Sequence, residues 1–348
     1  MFKLSTLLLA VLLQSNSAIA QGMTPACATP DAKLDQKGFV TIGGIEQWIT
    51  IKGESCANPV VLFVHGGPGN PLSPYSDKMF GAWAGNFTIV QWDQRGAGMT
   101  YGRNPPPADA RLTIKQMSDD GIQVAAWLAQ HLGKKKVIVW GSSWGSILAI
   151  HMVKARPELF YAYLGTSQVV GSRENQAVAY PKLVGLARAA GDKAALAVLD
   201  EVGPPPWTDP RSFGKVRRVI RRYEAKVTTP APAAWWTPAA EYTTPKAQAD
   251  YEAGEDYSFI NFVGMKGDGM FAQVDLPKLG TDFAVPMFFV HGVQDLLGTP
   301  DVAQRYYDSI KAPQKAMVML ERAGHDPNQE VIDAEYKILI ERILPLTK

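Results

Sequence analysis

Val137-Ile138-Val139-Trp140 runs directly into Gly141-Ser142-Ser143-Trp144-Gly145, and the reading of these nine residues decides the fold. The four apolar, β-favouring residues read as a buried strand. The G-x-S-x-G pattern that follows is that of a nucleophile elbow, a sharp strand-to-helix turn that lifts a serine hydroxyl into a cleft. Only small residues two before and two after the serine let the turn close. Gly141 and Gly145 meet that demand, which makes Ser143 the candidate nucleophile. At average Gly and Ser usage a bare G-x-S-x-G arises by chance in roughly one chain in ten of this length, so its setting has to decide. Ile147, Leu148, Ile150 and Met152 follow at helical spacing before Pro157, completing strand, turn and helix.

Outward from the elbow, residues 38–42 and 46–52 read as an antiparallel hairpin about the Gly43-Gly44 turn. Further strands are expected at 60–64, 87–92, 161–164, 287–290 and 316–320. Helices are expected through Phe80 and Trp83 and over 114–132, 302–310 and 331–343. Strands alternating with helices imply an α/β fold, a mostly parallel sheet covered by helices on both faces. From about 171 to 275 the alternation stops, and Pro204-Pro205-Pro206-Trp207 and Trp235-Trp236-Thr237-Pro238 punctuate the segment. It reads as an inserted, mainly helical cap between core segments 21–170 and 276–348.

Composition narrows the class. In 348 residues, 46% are hydrophobic and 20% charged, ordinary for a globular protein with a sizeable core, and a net charge of +2 gives no case for a nucleic-acid partner. The basic run from Lys215 to Lys226 is interleaved with Val216, Val219, Ile220 and Tyr223, and reads as an amphipathic helix with a solvated basic face, a membrane or acidic-ligand site being the other reading. Residues 1–20 read as a secretory leader: Lys3, an apolar run from Leu7 to Leu13 too short to span a bilayer, and Ala18-Ile19-Ala20 before Gln21. Cleavage after Ala20 and a periplasmic or secreted location are expected, with no stable membrane insertion afterwards. Cys27 and Cys56 are the two cysteines, and export permits a disulfide, with two separate buried thiols the other reading. No metal motif, nucleotide loop or flavin signature occurs, so neither metal nor cofactor is expected.

A serine hydroxyl is a poor nucleophile until a base takes its proton and a carboxylate fixes that base in the right tautomer. Asp295, just beyond strand 287–290 in His291-Gly292-Val293-Gln294-Asp295, and His325, just beyond strand 316–320 in Ala323-Gly324-His325, are the candidates; Asp301 is the reserve acid. The order nucleophile, acid, histidine is that of the α/β-hydrolase fold. Developing negative charge on a carbonyl oxygen calls for fixed N–H donors. His65-Gly66-Gly67-Pro68-Gly69 after the third strand offers Gly67, with Gly66 the alternate, and Trp144 follows the nucleophile.

Together, HGGPG at 65–69, WDQRGAG at 92–98, GSSWGS at 141–146, HGxxD ending at Asp295 and AGH ending at His325 closely resemble the proline iminopeptidases of the α/β-hydrolase superfamily. The resemblance implies a Ser143-Asp295-His325 triad, an oxyanion hole at Gly67 and Trp144, and a helical cap whose glutamates bind the substrate's free amine. Glu255, in Glu255-Asp256-Tyr257-Ser258-Phe259, is the position most like such an anchor, and no second glutamate matches. Met99-Thr100 and Ser142 depart from the family's pattern, and Asp93 and Arg95 read as loop-fixing residues. The implied activity is a serine aminopeptidase acting through an acyl-enzyme on a small molecule or short peptide. The alternatives are an esterase, lactonase or amidase with Trp207, Trp235 and Trp236 near a small apolar acyl group, and a non-catalytic binding protein on the same scaffold.

Overall fold

Gly43 and Gly44, both at positive φ (56° and 79°), turn strand β1 (Leu34–Ile42) back onto β2 (Ile45–Gly53). The computed structural model describes residues 27, 29–107 and 109–348, and the expected leader at 1–20 lies outside the described residues. Six more strands follow: β3 (Val60–Val64), β4 (Thr88–Trp92), β5 (Val137–Ser142), β6 (Phe160–Thr166), β7 (Met287–Gly292) and β8 (Lys315–Leu320). They form one eight-stranded sheet in the order β1-β2-β4-β3-β5-β6-β7-β8. The β1–β2 and β2–β4 pairs are antiparallel, and every later pair is parallel.

Central strands that read as continuous apolar runs are covered on both faces, as parallel sheets require. Side chains alternate between those faces. On one, Leu62, Val64 and Val139 pack with α3 (Ile114–His131) and α4 (Trp144–Ala155). On the other, Val61, Phe63, Ile138 and Trp140 pack with α10 (Gln329–Ile338). The short helices α1 (Ser76–Phe80) and α2 (Gly98–Arg103) precede α3, and α9 (Pro300–Ser309) lies between β7 and β8. The helix expected over 331–343 begins earlier, at Asn328, whose side chain accepts from the N–H of Val331, and changes to a π turn after Ile338.

Between β6 and β7 the chain forms four helices, α5 (Ser172–Ala189), α6 (Lys193–Val202), α7 (Pro210–Glu224) and α8 (Pro245–Val263), joined by loops and 3-10 turns. Asp209 and Thr244 cap α7 and α8 just before Pro210 and Pro245, where a missing N–H is harmless. Gly171 and Asp275 meet in an antiparallel bridge, so the segment leaves the core and returns to it at one point. Cys27 and Cys56 are joined as a disulfide, with Cα atoms 5.6 Å apart. Among the described residues no helix is long and apolar enough to cross a membrane.

Candidate active site

Ser143 sits between β5 and α4 at φ +52°, ψ −119°, in the left-handed region that non-glycine residues seldom adopt. The flanking glycines are required by contact. A Cβ on Gly141 would meet the Gly145 carbonyl oxygen at 2.6 Å, and one on Gly145 would lie 1.8 Å from the Val64 carbonyl oxygen. The hydroxyl held by this turn is 2.8 Å from Nε2 of His325, in the loop after β8. Nδ1 of the same ring is 2.9 and 3.0 Å from the two carboxylate oxygens of Asp295, in the loop after β7. An ionised carboxylate only accepts, so Nδ1 carries the ring proton and Nε2 is free to accept from Ser143. Oδ1 of Asp295 also accepts from the N–H groups of Leu297 (2.8 Å) and Gly298 (2.7 Å). Burial disfavours charge on both groups. Their mutual attraction and hydrogen bonding nevertheless hold the Asp295 carboxyl below its usual range and His325 above its own.

The glycine loop runs beside the serine. A Cβ on Gly66 would come within 3.2 Å of the Ser143 Cβ, and Gly67 is at φ +110°. Among the described residues the N–H groups of Gly67 and Trp144 have no acceptor. The Trp144 indole is turned away, donating to Gln94 (3.1 Å) and packing on Phe262. Gly66, Gly67, Ser143 and His325 line a cavity of about 210 Å³. Phe80, Trp140, Trp236 and Ile332 form apolar wall, and Glu255 enters from α8. Its Cα lies 2.9 Å from where a Gly69 Cβ would be, so α8 rests directly on the glycine loop.

Residues 61–335 match the alpha/beta hydrolase family. The chain belongs to that family. It is 29% identical over 307 residues to a probable aminopeptidase, YbaC, of Bacillus subtilis (strain 168), covering 84% of this chain and 91% of the relative. It is 27% identical over 292 residues to a probable proline iminopeptidase of Streptomyces coelicolor, covering 78% and 85%. Among solved structures, proline iminopeptidase of Mycobacterium smegmatis superposes with a TM-score of 0.65 at 18% identity, over 90% of this chain and 99% of that one. VinJ superposes with a TM-score of 0.63 at the same identity, over 91% and 100%. The protein is thus a hydrolase similar to proline iminopeptidases.

In this alpha/beta hydrolase the remaining candidates fall in several places. Asp301 is on the surface in an ion pair with Lys182, away from His325. Buried Asp93 accepts from the Ser73 hydroxyl and the Met99 N–H, and the Thr100 hydroxyl donates to the Asp93 carbonyl. Thr100 Oγ1 also accepts from the Trp48 N–H of β2, so the threonine that departs from the family pattern ties this loop to the sheet. Arg95 bridges Asp120 and the Gly43 carbonyl. Of the three tryptophans placed near an acyl group by the sequence, Trp236 lines the cavity. Trp207 instead packs against Tyr180 and Phe213, and Trp235 is buried in the core beyond the cavity.

Two residues of α7 lacked any motif. Glu224 places Oε1 2.7 Å from the Leu296 N–H and Oε2 3.2 Å from the His325 N–H, clipping together the loops that carry Asp295 and His325. Burial, and then the nearby Asp295 charge, push its carboxyl up to about 7. Arg217 corrects the reading of a wholly solvated basic face: it lines the cavity beside Ser143, with Nε buried.

Proposed function

We propose that this protein is an exported serine hydrolase that removes an N-terminal residue, proline or another small one, from a short peptide. The hydrogen-bonded run from Asp295 through His325 to Ser143 carries the proposal. His325 Nε2 takes the Ser143 proton as Oγ attacks the scissile carbonyl, and Asp295 stabilises the imidazolium that results. The oxyanion forms toward the N–H groups of Gly67 and Trp144. His325 then gives its proton to the departing amine. Water, deprotonated by His325, hydrolyses the acyl-Ser143 ester and restores the enzyme.

An amine anchor in the same cavity supports a peptidase over an esterase: Glu255 is there, and the named relatives are aminopeptidases. The apolar wall of Phe80, Trp140 and Ile332 suits a pyrrolidine ring, but also the acyl chain of a small ester, so the esterase reading is tested alongside. A fluorophosphonate probe should label the mature protein and not Ser143→Ala; labelling that survives the substitution removes Ser143 from its role. Glu255→Gln should lower kcat/KM for proline p-nitroanilide roughly ten- to hundred-fold while sparing p-nitrophenyl esters. Ester turnover with no anilide turnover in the wild type would sink the peptidase reading.

Export rests on the leader at 1–20 and is supported by the Cys27–Cys56 bridge, since disulfides persist in oxidising compartments. Periplasmic or secreted protein beginning at Gln21 is expected on N-terminal sequencing. Cytoplasmic protein still beginning at Met1 would contradict it.

A further inference from the structure

α7 places Phe213, Arg217, Ile220 and Glu224 at intervals of four, three and four, along one stripe of the helix. This stripe faces the core and the active site, and Arg217 is its cation. Of the other cations on the helix, Lys215 pairs with Glu201, Arg221 with Asp326 at 3.4 Å and Arg222 with Asp192 at 2.7 Å, while Arg211 and Arg218 are exposed to solvent. Arg217 has none among the described residues, and its Nε is buried without a hydrogen bond. Burial and then the Arg221 charge weaken its hold on the proton, while Asp326, Glu255 and Glu224 oppose them through space. An arginine nonetheless stays charged in a protein.

Nε is sealed off from any occupant, so it is through its Nη groups, which have no protein partner among the described residues, that the desolvated guanidinium can meet an acceptor arriving in the cavity. The two Nη groups form a planar fork that matches a carboxylate, which can take two parallel charge-assisted hydrogen bonds. Glu255, a candidate amine partner, lines the same cavity, so opposite charges are offered to one occupant. At about 210 Å³ the cavity is smaller than the ~300–1,000 Å³ of typical ligand sites, which suits an occupant of one or two residues.

We propose that Arg217 binds the substrate's free carboxylate, and that the preferred substrates are zwitterionic dipeptides, with the amine at Glu255 and the carboxylate of the departing residue at Arg217. This rests on the aminopeptidase reading above, and its test separates the two. Binding is measured by calorimetry on Ser143→Ala, which removes turnover, with Pro-Ala and Pro-Ala-amide as ligands. The acid should bind at least about ten-fold more tightly than the amide, the scale of a charge-assisted hydrogen-bonded pair. In Ser143→Ala/Arg217→Gln the ratio should fall close to one, and Arg217→Lys should keep part of it. Turnover by the wild type should show the same acid-over-amide ratio in kcat/KM.

A ratio near one in Ser143→Ala, or no binding of either ligand, overturns the role of Arg217. So does a glutamine variant that weakens both ligands equally, since that is what a guanidinium merely balancing Glu255 would do. A preserved ratio in Ser143→Ala with no cleavage of either dipeptide by the wild type would leave the carboxylate site standing and the aminopeptidase reading lost.

Discussion

Glu224 makes the residue-scale case for a positioning group that no motif announces. Its carboxylate accepts from the backbone of both loops that present Asp295 and His325, so it governs how those loops sit relative to Ser143. It also acts by charge: burial lowers the His325 pKa, while Asp295 first and Glu224 next raise it. In the proposed role of general base His325 must be neutral to work, so raising its pKa would move the onset of activity to higher pH. Because its own carboxyl is raised to about 7, Glu224 is only partly ionised where the ring titrates; Glu224→Gln removes that partial charge and leaves one of the two N–H groups without its acceptor. The acid limb of kcat/KM should therefore shift to lower pH, while kcat falls by about ten-fold as the loops lose register. A pH–rate profile checks this. An unchanged acid limb, with only the rate reduced, would reduce Glu224 to a structural clip.

At the scale of elements, the strands were legible because burial on both faces leaves a clear record: β3 and most of β5 are apolar runs with nowhere else to go, and β4 is buried throughout, with Thr88 and Gln91 its polar residues. The elbow and the loop holding Asp295 were legible because each directly follows such a strand; the loop holding His325 follows β8, a half-buried edge strand that is apolar after Lys315. The cap helices were legible only as a class. α5 contains Pro181 and α8 contains Gly254, residues that ordinarily argue against a helix interior. The reason for Gly254 lies in tertiary packing: a Cβ there would meet the Gly96 carbonyl oxygen and the Tyr101 side chain, each at 3.1 Å. α7 was read correctly as amphipathic, yet periodicity cannot say that part of a charged face looks into a cavity. Arg217 and Glu224 share a stripe with Phe213 and Ile220, so the signal that locates the buried face counts them as surface.

Across the whole molecule, a buried carboxyl couples the last helix to the centre of the sheet and makes stability depend on pH. Glu335 of α10 is fully buried and accepts from the Thr166 hydroxyl at the end of β6. Burial raises its carboxyl from the usual 4.5 to about 7, against the opposing pull of Thr166 and the Trp140 indole. The folded protein therefore holds a proton that the unfolded chain has released between those two values. The contribution of Glu335 to stability is fully present below about 4.5 and declines as pH rises to about 7, because unfolding is then coupled to proton release. Glu335→Gln keeps a neutral group of similar shape and removes that slope. Its stability relative to wild type should climb between pH 4.5 and 7 by an amount on the order of 3 kcal/mol, then level off. Urea unfolding of both proteins at several pH values measures the difference, with the slope m held equal so that the midpoints report stability alone. Other buried acids, such as Asp93, whose carboxyl burial raises to about 7, contribute to both proteins and cancel in the comparison. A difference that stays flat across this range would mean that Glu335 keeps the same protonation state folded and unfolded, and that its burial is balanced by interactions stronger than Thr166 and Trp140 provide.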